Sequence, residues 1–400
     1  MGILQLQSEE VTDNMSTPQS NNKIDLYLIY SDSSEAGSME TLPDTQGLQA
    51  LEYKELQQSD LTFTAEDKIC ITTEACLDLV LERMTNEEIK KSIEVLKDKY
   101  KFRQLIKPLF PDYFYQKIPF DQIKSLQVKE KSVLKPQKGC FGTGVRILSP
   151  DQDMAFVSKD VRNEISRNSD VLSEEVLSKD DFILEKYIDG EEYAVDMFFD
   201  HLGKPHIANI YHHPIPENTF YLHMIYYSSN EVFQRLYKKA IEFYSKLNES
   251  LSLKNILLHG EFRYTNENQL FPIEINPMRF GGMGLGNMIY YTMNINPYEY
   301  FIRNQSPPWK ELWSNQNRSD NIYAFFIAYN GRNIDKSTHE PDIEKLCSEF
   351  SEVLNSCIFN YKEQLAFGTF IIRENSKNLK KLLKIDFDNY FKPIATTDKG

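Results

Sequence analysis

Residues 256–282 constrain the fold of this 400-residue chain more than any other segment of its sequence. Two runs rich in apolar residues, Ile256–Tyr264 and Leu270–Ile275, are separated by the polar stretch TNEN. Such runs on either side of a short polar stretch are typical of paired strands. The sequence therefore predicts a β-hairpin whose turn lies at residues 265–268.

Three oxygen-bearing side chains of this hairpin form a candidate metal site. Glu261 lies on the first strand, whereas Glu274 and Asn276 are two residues apart on the second and point to one face. Mg²⁺ takes one or two carboxylates together with phosphate oxygens, and acidic groups buried together need such a cation. The alternative is a set of ordinary exposed carboxylates; the whole arrangement, followed by Arg279, favours the metal site.

A glycine-rich loop in the sequence VLKPQKGCFGTGV is a candidate phosphate-binding element. Strands are predicted before it at Ser132–Lys135 and after it at Val145–Leu148. Its glycines are Gly139, Gly142 and Gly144. Glycines let backbone N–H groups approach phosphate oxygens, and Lys135 supplies a positive charge. The loop is not a P-loop, since no G-K-[ST] follows, and a plain hairpin turn is the alternative. Cys140 is expected to fill space rather than react.

The stretch FILEKYIDGEEYAVD is a candidate nucleotide-binding element. Two strand-like runs, Phe182–Ile188 and Glu192–Phe199, flank Asp189–Gly190, so the sequence predicts a hairpin with a tight turn. The end of the first strand would offer backbone groups to adenine, and Glu192 would accept hydrogen bonds from ribose hydroxyls. The alternative is an acidic hairpin without a ligand.

Composition excludes several classes of protein. The apolar fraction of 41% and aromatic fraction of 12% are those of a globular chain with two or three packed units. The net charge of −14 argues against nucleic acid or an anionic membrane as partner. Five scattered cysteines indicate reduced thiols, and no apolar run reaches the ~18 residues of a membrane helix. We therefore expect a cytoplasmic protein whose polar residues 1–22 are disordered.

Alternating strands and helices are predicted elsewhere in the chain. The predicted strands are Ile24–Tyr30, Lys68–Thr72, Ile322–Tyr329 and Gly368–Arg373. The predicted helices are Glu74–Arg83, the charged stretch Asn86–Leu105, Ser229–Leu251 and a solvated face in Lys377–Lys384. The first strands and the helix after them suggest a small open sheet, whose first loop lacks a dinucleotide-binding G-x-G-x-x-G.

Taken in this order, the three candidate elements resemble the ATP-grasp superfamily, which includes biotin carboxylase, D-alanine–D-alanine ligase and bacterial L-amino acid ligases. The resemblance covers about residues 98–285, and DKYKFRQL is similar to the family's D-K-x-x-x-R-x-x-L helix. It implies an α/β (α+β) ATP-grasp fold. The implied units are a small N-terminal open α/β domain (23–97), a small subdomain (98–184), a large subdomain (185–305) and a C-terminal extension (306–400).

For the nucleotide, the resemblance implies that Lys99 and Lys135 contact the phosphates of ATP, while the loop Gly139–Gly144 closes over them. Glu185 would accept a hydrogen bond from the adenine amino group, and Glu192 would bind ribose. The implied adenine hinge consists of Lys186, Tyr187 and Ile188.

For the metal, the resemblance implies that Glu261, Glu274 and Asn276 hold two Mg²⁺ ions, with Mn²⁺ as an alternative and Glu274 bridging the ions. Arg279 would contact the transferred phosphoryl group or an acyl phosphate. The family usually has Arg directly after Asn-Pro, whereas this chain reads Asn276-Pro277-Met278-Arg279. This extra residue puts the role of Arg279 in doubt.

The resemblance implies an ADP-forming ligase for small molecules. A substrate carboxylate attacks the γ-phosphate of ATP, and an amine then displaces phosphate from the acyl phosphate, with an amino acid or peptide as the expected substrate. An ATP-binding module without ligase activity and a kinase that stops at phosphorylation are the alternatives.

Residues 211–230 are expected to face the substrate, with His212 and His213 either as polar contacts or as surface residues at a strand end. A homodimer is compatible with the resemblance by analogy alone.

Overall fold

The computed structural model describes residues 24–31, 44–139, 142–168, 177–216, 221, 223–314 and 321–394. The segment 1–22 that is predicted to be disordered, most of the first loop and Cys140 lie outside these residues. No helix in the described ranges has the length and hydropathy that a membrane crossing requires.

The strands are β1 (Leu26–Tyr30), β2 (Leu48–Glu52), β3 (Ile69–Ile71), β4 (Tyr115–Pro119), β5 (Ser132–Pro136), β6 (Arg146–Leu148), β7 (Asp181–Lys186), β8 (Glu191–Phe199), β9 (Pro205–His213), β10 (Ile225–Ser228), β11 (Ile256–Tyr264), β12 (Leu270–Pro277), β13 (Asn321–Tyr329), β14 (His339–Pro341), β15 (Glu352–Ile358), β16 (Ala366–Asn375) and β17 (Phe391–Pro393).

The helices are α1 (Tyr53–Gln58), α2 (Leu77–Arg83), α3 (Glu87–Lys97), α4 (Lys99–Ile106), α5 (Met154–Asn168), α6 (Asn230–Leu251), α7 (Met288–Met293), α8 (Pro297–Arg303), α9 (Trp309–Ser314), α10 (Ile343–Cys347) and α11 (Leu379–Leu382). Short 3₁₀ turns occupy Glu74–Cys76, Phe120–Ser125, Leu285–Asn287 and Phe387–Tyr390.

One large sheet joins the N-terminal, central and C-terminal parts of the chain. Its order is β15-β16-β13-β10-β9-β8-β11-β3-β1-β2, and β12 also pairs with β11. The parallel strands β1–β3 join the antiparallel part where Ile256 of β11 pairs with Ile69 of β3. The predicted small N-terminal sheet is therefore the end of a larger one. The predicted domain limits stay predictions.

A second sheet of four strands, in the order β4-β7-β5-β6, corrects the hairpin predicted at residues 182–199. β7 pairs with β4 and β5, whereas β8 pairs with β9 and β11 in the large sheet. The four residues between Lys186 and Glu191 carry the chain from one sheet to the other instead of reversing it. Gly190 allows this crossing, because at its φ of +155° a Cβ would lie 2.4 Å from the carbonyl oxygen of Tyr264.

The charged stretch predicted at residues 86–105 forms two helices rather than one. Asp98 separates α3 from α4, and its side chain accepts hydrogen bonds from the backbone N–H groups of Tyr100 and Lys101. A short acidic side chain at an N-cap satisfies donors that a new helix leaves unpaired. The break places Lys97 and Lys99 on either side of Asp98.

The longest helix, α6, confirms the predicted apolar spacing. Its buried residues at that spacing are Val232, Leu236, Ala240, Phe243 and Leu247. They belong to the main hydrophobic core together with inward residues of β8, β9 and β11. A helix with such a stripe buries one face against a sheet, so α6 supports the strands that carry the acidic residues.

We predict that Gly260→Ala destabilises the protein by about 1–3 kcal/mol, because extra atoms in a packed core force their neighbours to move. A Cβ at Gly260 would lie 2.1 Å from the hydroxyl of Tyr244 and 2.8 Å from the ring of Phe262. Chemical denaturation measures the loss. Gly282→Ala is the control, since the nearest atom to its Cβ is 3.8 Å away. Equal stability of the two variants would contradict the packing described.

Candidate active site

The hairpin of β11 and β12 holds two acidic side chains next to each other. Glu261 and Glu274 are direct partners in the antiparallel register, and Asn276 lies two residues farther along β12. All three line one cavity of about 500 Å³. The predicted hairpin and the shared face of these residues are thus confirmed.

Two lysines at the break between α3 and α4 reach this hairpin. Lys99 Nζ lies 2.9 Å from Glu274 Oε2. Lys97 Nζ lies 2.5 Å from Glu74 Oε2 and donates to Asn276 Oδ1 at 3.2 Å. The helix break at Asp98 therefore places the ammonium groups of Lys97 and Lys99 beside the acidic residues.

The two paired glutamates have opposite pKa shifts. Burial favours the neutral form of Glu274, but the charges of Lys99 and Lys97 outweigh it and hold its pKa well below the usual range. Burial, followed by the negative charge of Glu274, raises the pKa of Glu261 to about 7. The lysines thus neutralise one carboxylate of the pair, and the other lacks a sufficient counter-charge.

The donors around Glu261 fit a divalent cation that also binds phosphate. The described residues include no cluster of three or more His, Cys, Asp or Glu side chains suited to a metal. Mg²⁺ in a nucleotide site needs only one or two carboxylates, because phosphates and water complete its coordination. Asn276 Nδ2 donates to Glu274 Oε1 at 3.2 Å, which keeps the amide beside the carboxylate pair. Glu261, Glu274 and the amide oxygen of Asn276 thus form a suitable set.

A buried charged group lies deeper in the same cavity. Lys135 Nζ is 2.5 Å from one carboxylate oxygen of Glu185, and Arg103 Nε is 2.5 Å from the other. Arg103 also donates to the carbonyl oxygen of Ile273 on β12. Burial lowers the pKa of Lys135 more than the charge of Glu185 raises it. Both oxygens of Glu185 are engaged by cations, so its predicted hydrogen bond to adenine would have to share them.

Residues 186–188, the predicted adenine hinge, line the cavity just after β7. The Tyr113 hydroxyl donates to the carbonyl oxygen of Lys186 at 2.8 Å, and the Tyr187 N–H donates to the carbonyl oxygen of Lys131 at 3.1 Å. The ammonium of Lys131 also lies 3.6 Å from the centre of the Tyr187 ring. These contacts fix the backbone at the point where the chain passes between the two sheets.

Glu192, the predicted ribose ligand, lines the cavity and is held by two neighbours. It accepts a hydrogen bond from His213 Nδ1 at 2.8 Å and pairs with Arg263 Nη2 at 2.7 Å. Burial favours its neutral form, but the His213 hydrogen bond and nearby positive charge outweigh it and lower the pKa of Glu192. His213 is 4% exposed, and His212 bonds the Tyr227 hydroxyl, so the surface alternative for these histidines is wrong. Neither lines the cavity.

The glycine-rich loop reaches the cavity with two of its three glycines. Gly139 and Gly142 line the cavity, and the carbonyl oxygen of Gly142 accepts a hydrogen bond from the Val145 N–H in a tight turn. Gly144 does not line it. A Cβ at Gly144 would lie 3.0 Å from Pro136, and its φ is +72°, so this glycine serves packing beneath the loop.

The extra residue before Arg279 is accommodated by an unusual backbone. Met278 has a φ of +66°, and its N–H donates to the carbonyl oxygen of Leu257 while its own carbonyl oxygen accepts from the Ile71 N–H. These bonds tie the end of β12 to β11 and β3. Arg279 then lines the cavity, with Nε 3.0 Å from Glu74 Oε1. Burial opposes ionisation of Glu74, but Lys97 and Arg279 lower its pKa to about 2.

Several residues of the site were not predicted. Glu74 lies three residues after the end of the parallel strand β3, and the carboxyl ends of such strands commonly face ligands, so position alone could have indicated it. Asp196 Oδ1 forms hydrogen bonds with His259 Nδ1 at 2.7 Å and with the Gly281 N–H at 2.8 Å. These bonds connect segments that are distant in sequence, so no local sequence pattern could have predicted them. The cavity wall from the C-terminal extension was also missed. It consists of Phe325, Ile327, Tyr329, Phe359 and Gln364.

Comparison with known proteins shows which domain and which fold this arrangement resembles. Residues 128–287 match the ATP-grasp domain, a segment that includes the glycine-rich loop, residues 186–188 and the hairpin of β11 and β12. The match and the fold bear out the predicted resemblance to the ATP-grasp superfamily and the predicted ATP-grasp fold. No curated protein sequence matches the chain.

Solved structures show the same fold over nearly the whole chain. An L-amino acid ligase from Bacillus licheniformis matches with a TM-score of 0.63 and 15% identity, covering 94% of this chain and 100% of that one. N5-carboxyaminoimidazole ribonucleotide synthetase from Thermotoga maritima matches with a TM-score of 0.56 and 12% identity, covering 92% and 99%. Biotin carboxylase from Campylobacter jejuni matches with a TM-score of 0.55 and 13% identity, covering 92% of each chain.

We predict that Glu261→Gln raises the melting temperature of the metal-free protein above about pH 7. The folded-state pKa of Glu261, about 7, exceeds its ordinary value of 4.5, so the folded chain holds an extra proton between these values. The contribution of Glu261 to the free energy of unfolding therefore falls as the pH rises from 4.5 to about 7. Gln cannot ionise and avoids the loss. Calorimetry across this range, with exposed Glu267→Gln in the hairpin turn as control, measures it. An unchanged pH dependence in Glu261→Gln would contradict the assignment.

Proposed function

We propose that this protein is an ADP-forming ligase that activates a carboxylate with Mg-ATP and couples it to an amine. The observation that carries the proposal is the pairing of Glu261 with Glu274 in a cavity shared with Lys99 and Lys135. Two carboxylates beside two ammonium groups can bind a metal and phosphates together. Such sites act mainly by positioning and by neutralising charge.

The nucleotide would lie between the hinge and the acidic pair. The hinge at residues 186–188 would contact adenine through its backbone, and Glu192, held by Arg263 and His213, would receive the ribose hydroxyls. The ammonium of Lys135, which is paired with Glu185, would also donate hydrogen bonds to phosphate oxygens. The turn at Gly142 would close over the phosphates, since nothing lies within 4 Å of its Cβ position.

The metal would be held by Glu261, Glu274 and Asn276 and would neutralise charge on the transferred phosphoryl group. Lys99 would keep Glu274 ionised, and Lys97 would release the amide oxygen of Asn276 when the cation binds. A second ion, bridged by Glu274, and Mn²⁺ in place of Mg²⁺ belong to the same proposal.

Arg279 would bind the substrate carboxylate or its acyl phosphate. Its bond to Glu74 fixes the guanidinium at the cavity wall, and the backbone of Met278 sets its direction. This geometry supports the family role despite the extra residue. No enzyme nucleophile is needed, because the substrate carboxylate itself attacks the γ-phosphate.

An amino acid or peptide is the substrate class we favour. The L-amino acid ligase from Bacillus licheniformis shares the fold over the whole of its length. A direct assay of amino acid pairs tests this part of the proposal. The cytoplasmic location and a homodimer also stay predictions.

We predict that Glu261→Gln and Glu274→Gln each reduce substrate-stimulated ADP release by on the order of 100-fold or more, because each removes a carboxylate that would hold the cation stabilising the transferred phosphoryl group. ADP release over pairs of amino acids, with mass spectrometry of the products, measures this. Glu267→Gln, which changes an exposed residue of the same hairpin, is the control and should retain full activity.

The products also separate the competing functions. ADP with a condensed product supports the ligase. ADP with only a phosphorylated acid identifies a kinase, and ATP binding without stimulation by any acid identifies a binding module. Near-normal activity of both glutamine variants would contradict the metal assignment.

A further inference from the structure

The cavity continues beyond the acidic pair to an apolar wall from the C-terminal extension. Phe325, Ile327 and Tyr329 alternate along β13, so they lie on one face of the strand, and all three line the cavity. Phe359, after β15, lines it as well. None of these residues lies within the segment that matches the ATP-grasp domain, which ends at residue 287.

Tyr226 joins this wall to the acidic pair. It lines the cavity, and its backbone pairs directly with Phe325 across β10 and β13. Burial, followed by the negative charges of Glu261 and Glu192, raises the pKa of Tyr226 well above its usual range. Tyr226 is therefore near the carboxylates of Glu261 and Glu192 and lies next to the apolar strand β13. A substrate bound for phosphorylation at the metal site would have its remaining atoms beside this wall.

Charged side chains line the polar side of this part of the cavity. Glu74 pairs with Lys97 Nζ at 2.5 Å and with Arg279 Nε at 3.0 Å, so one carboxylate faces two cations. Glu74 therefore holds both cations in place. Of these three residues, Glu74 and Arg279 line the cavity. A carboxylate is the anion that matches a guanidinium in shape and charge.

We propose that the activated acid carries an apolar side chain, branched aliphatic or aromatic, that packs against Phe325, Ile327 and Phe359 while its carboxylate faces Arg279. The proposal rests on the proposed ligase activity and narrows its substrate class. A charged side chain on the acid would lie against this mostly apolar wall and would lose part of its hydration. Small acids would leave the space unfilled.

Selectivity for the acid can be measured separately from the amine. Alaninamide serves as the amine, because it has no carboxylate to activate. ADP release is then measured with leucine, phenylalanine, alanine, aspartate and lysine as acids. We expect kcat/KM for leucine or phenylalanine to exceed that for alanine by roughly 10-fold or more, since a methylene in an apolar pocket changes it by about 10–200-fold. Aspartate and lysine should be poorer still.

Phe359→Ala tests the wall itself, since Phe359 is only partly buried and packs at the edge of the main core. We expect the ratio of kcat/KM for phenylalanine over leucine to rise by roughly 10-fold, because the enlarged pocket favours the larger side chain. Ile327→Val should shift the ratio in the same direction. Leu365→Ala, which truncates an apolar residue that is 85% exposed and not part of the wall, is the control and should leave the ratio unchanged.

The outcomes separate this inference from the proposed function. Turnover of aspartate, lysine or alanine equal to that of leucine, or an unchanged ratio in an active Phe359→Ala variant, overturns the apolar subsite and leaves the ligase intact. ATP binding without ADP release for any acid overturns the proposed function and the inference with it.

Discussion

The pairing of Glu261 with Glu274 across two adjacent strands is the constraint on which the site depends. Two carboxylates held together in a partly buried cavity repel each other unless cations compensate. Lys99 compensates Glu274 directly, and its position follows from the helix break at Asp98. Burial, followed by the negative charge of Glu274, disfavours a second ionised carboxylate here and raises the pKa of Glu261. The remaining negative charge is suited to a cation that arrives with the nucleotide.

The cavity is assembled from segments that are distant along the chain, and the large sheet brings them together. Glu74 lies just beyond β3, the acidic pair lies on the hairpin of β11 and β12, and most of the apolar wall lies on β13. The four-stranded sheet contributes the other side through Lys135 and Glu185. Charged residues thus surround the expected phosphates, while apolar residues lie where the rest of the acid would bind. This arrangement suits a substrate whose carboxylate is bound by charged residues and whose side chain packs against apolar ones.

Local patterns predicted the elements whose partners are close in sequence. The hairpin of β11 and β12 and the helix α6 follow directly from alternation and helical spacing. The hairpin predicted at residues 182–199 was wrong, because turn residues do not reveal that the next strand pairs in another sheet. The contacts of Glu185 with Arg103 and of Asp196 with His259 join distant segments, so periodicity could not have found them. The role of the glycine-rich loop stays a prediction, and of its glycines Gly144 packs near Pro136 rather than lining the cavity.

Calorimetric titration of ATP into the protein, with Mg²⁺ present and with the metal chelated, tests the central claim most directly. The account predicts that Mg²⁺ strengthens ATP binding in the wild type, because the metal links the phosphates to Glu261 and Glu274. Without the metal, the phosphates would meet an uncompensated Glu261 and bind weakly. Equal affinity with and without Mg²⁺ would contradict the claim that this pair of glutamates holds the metal of the nucleotide.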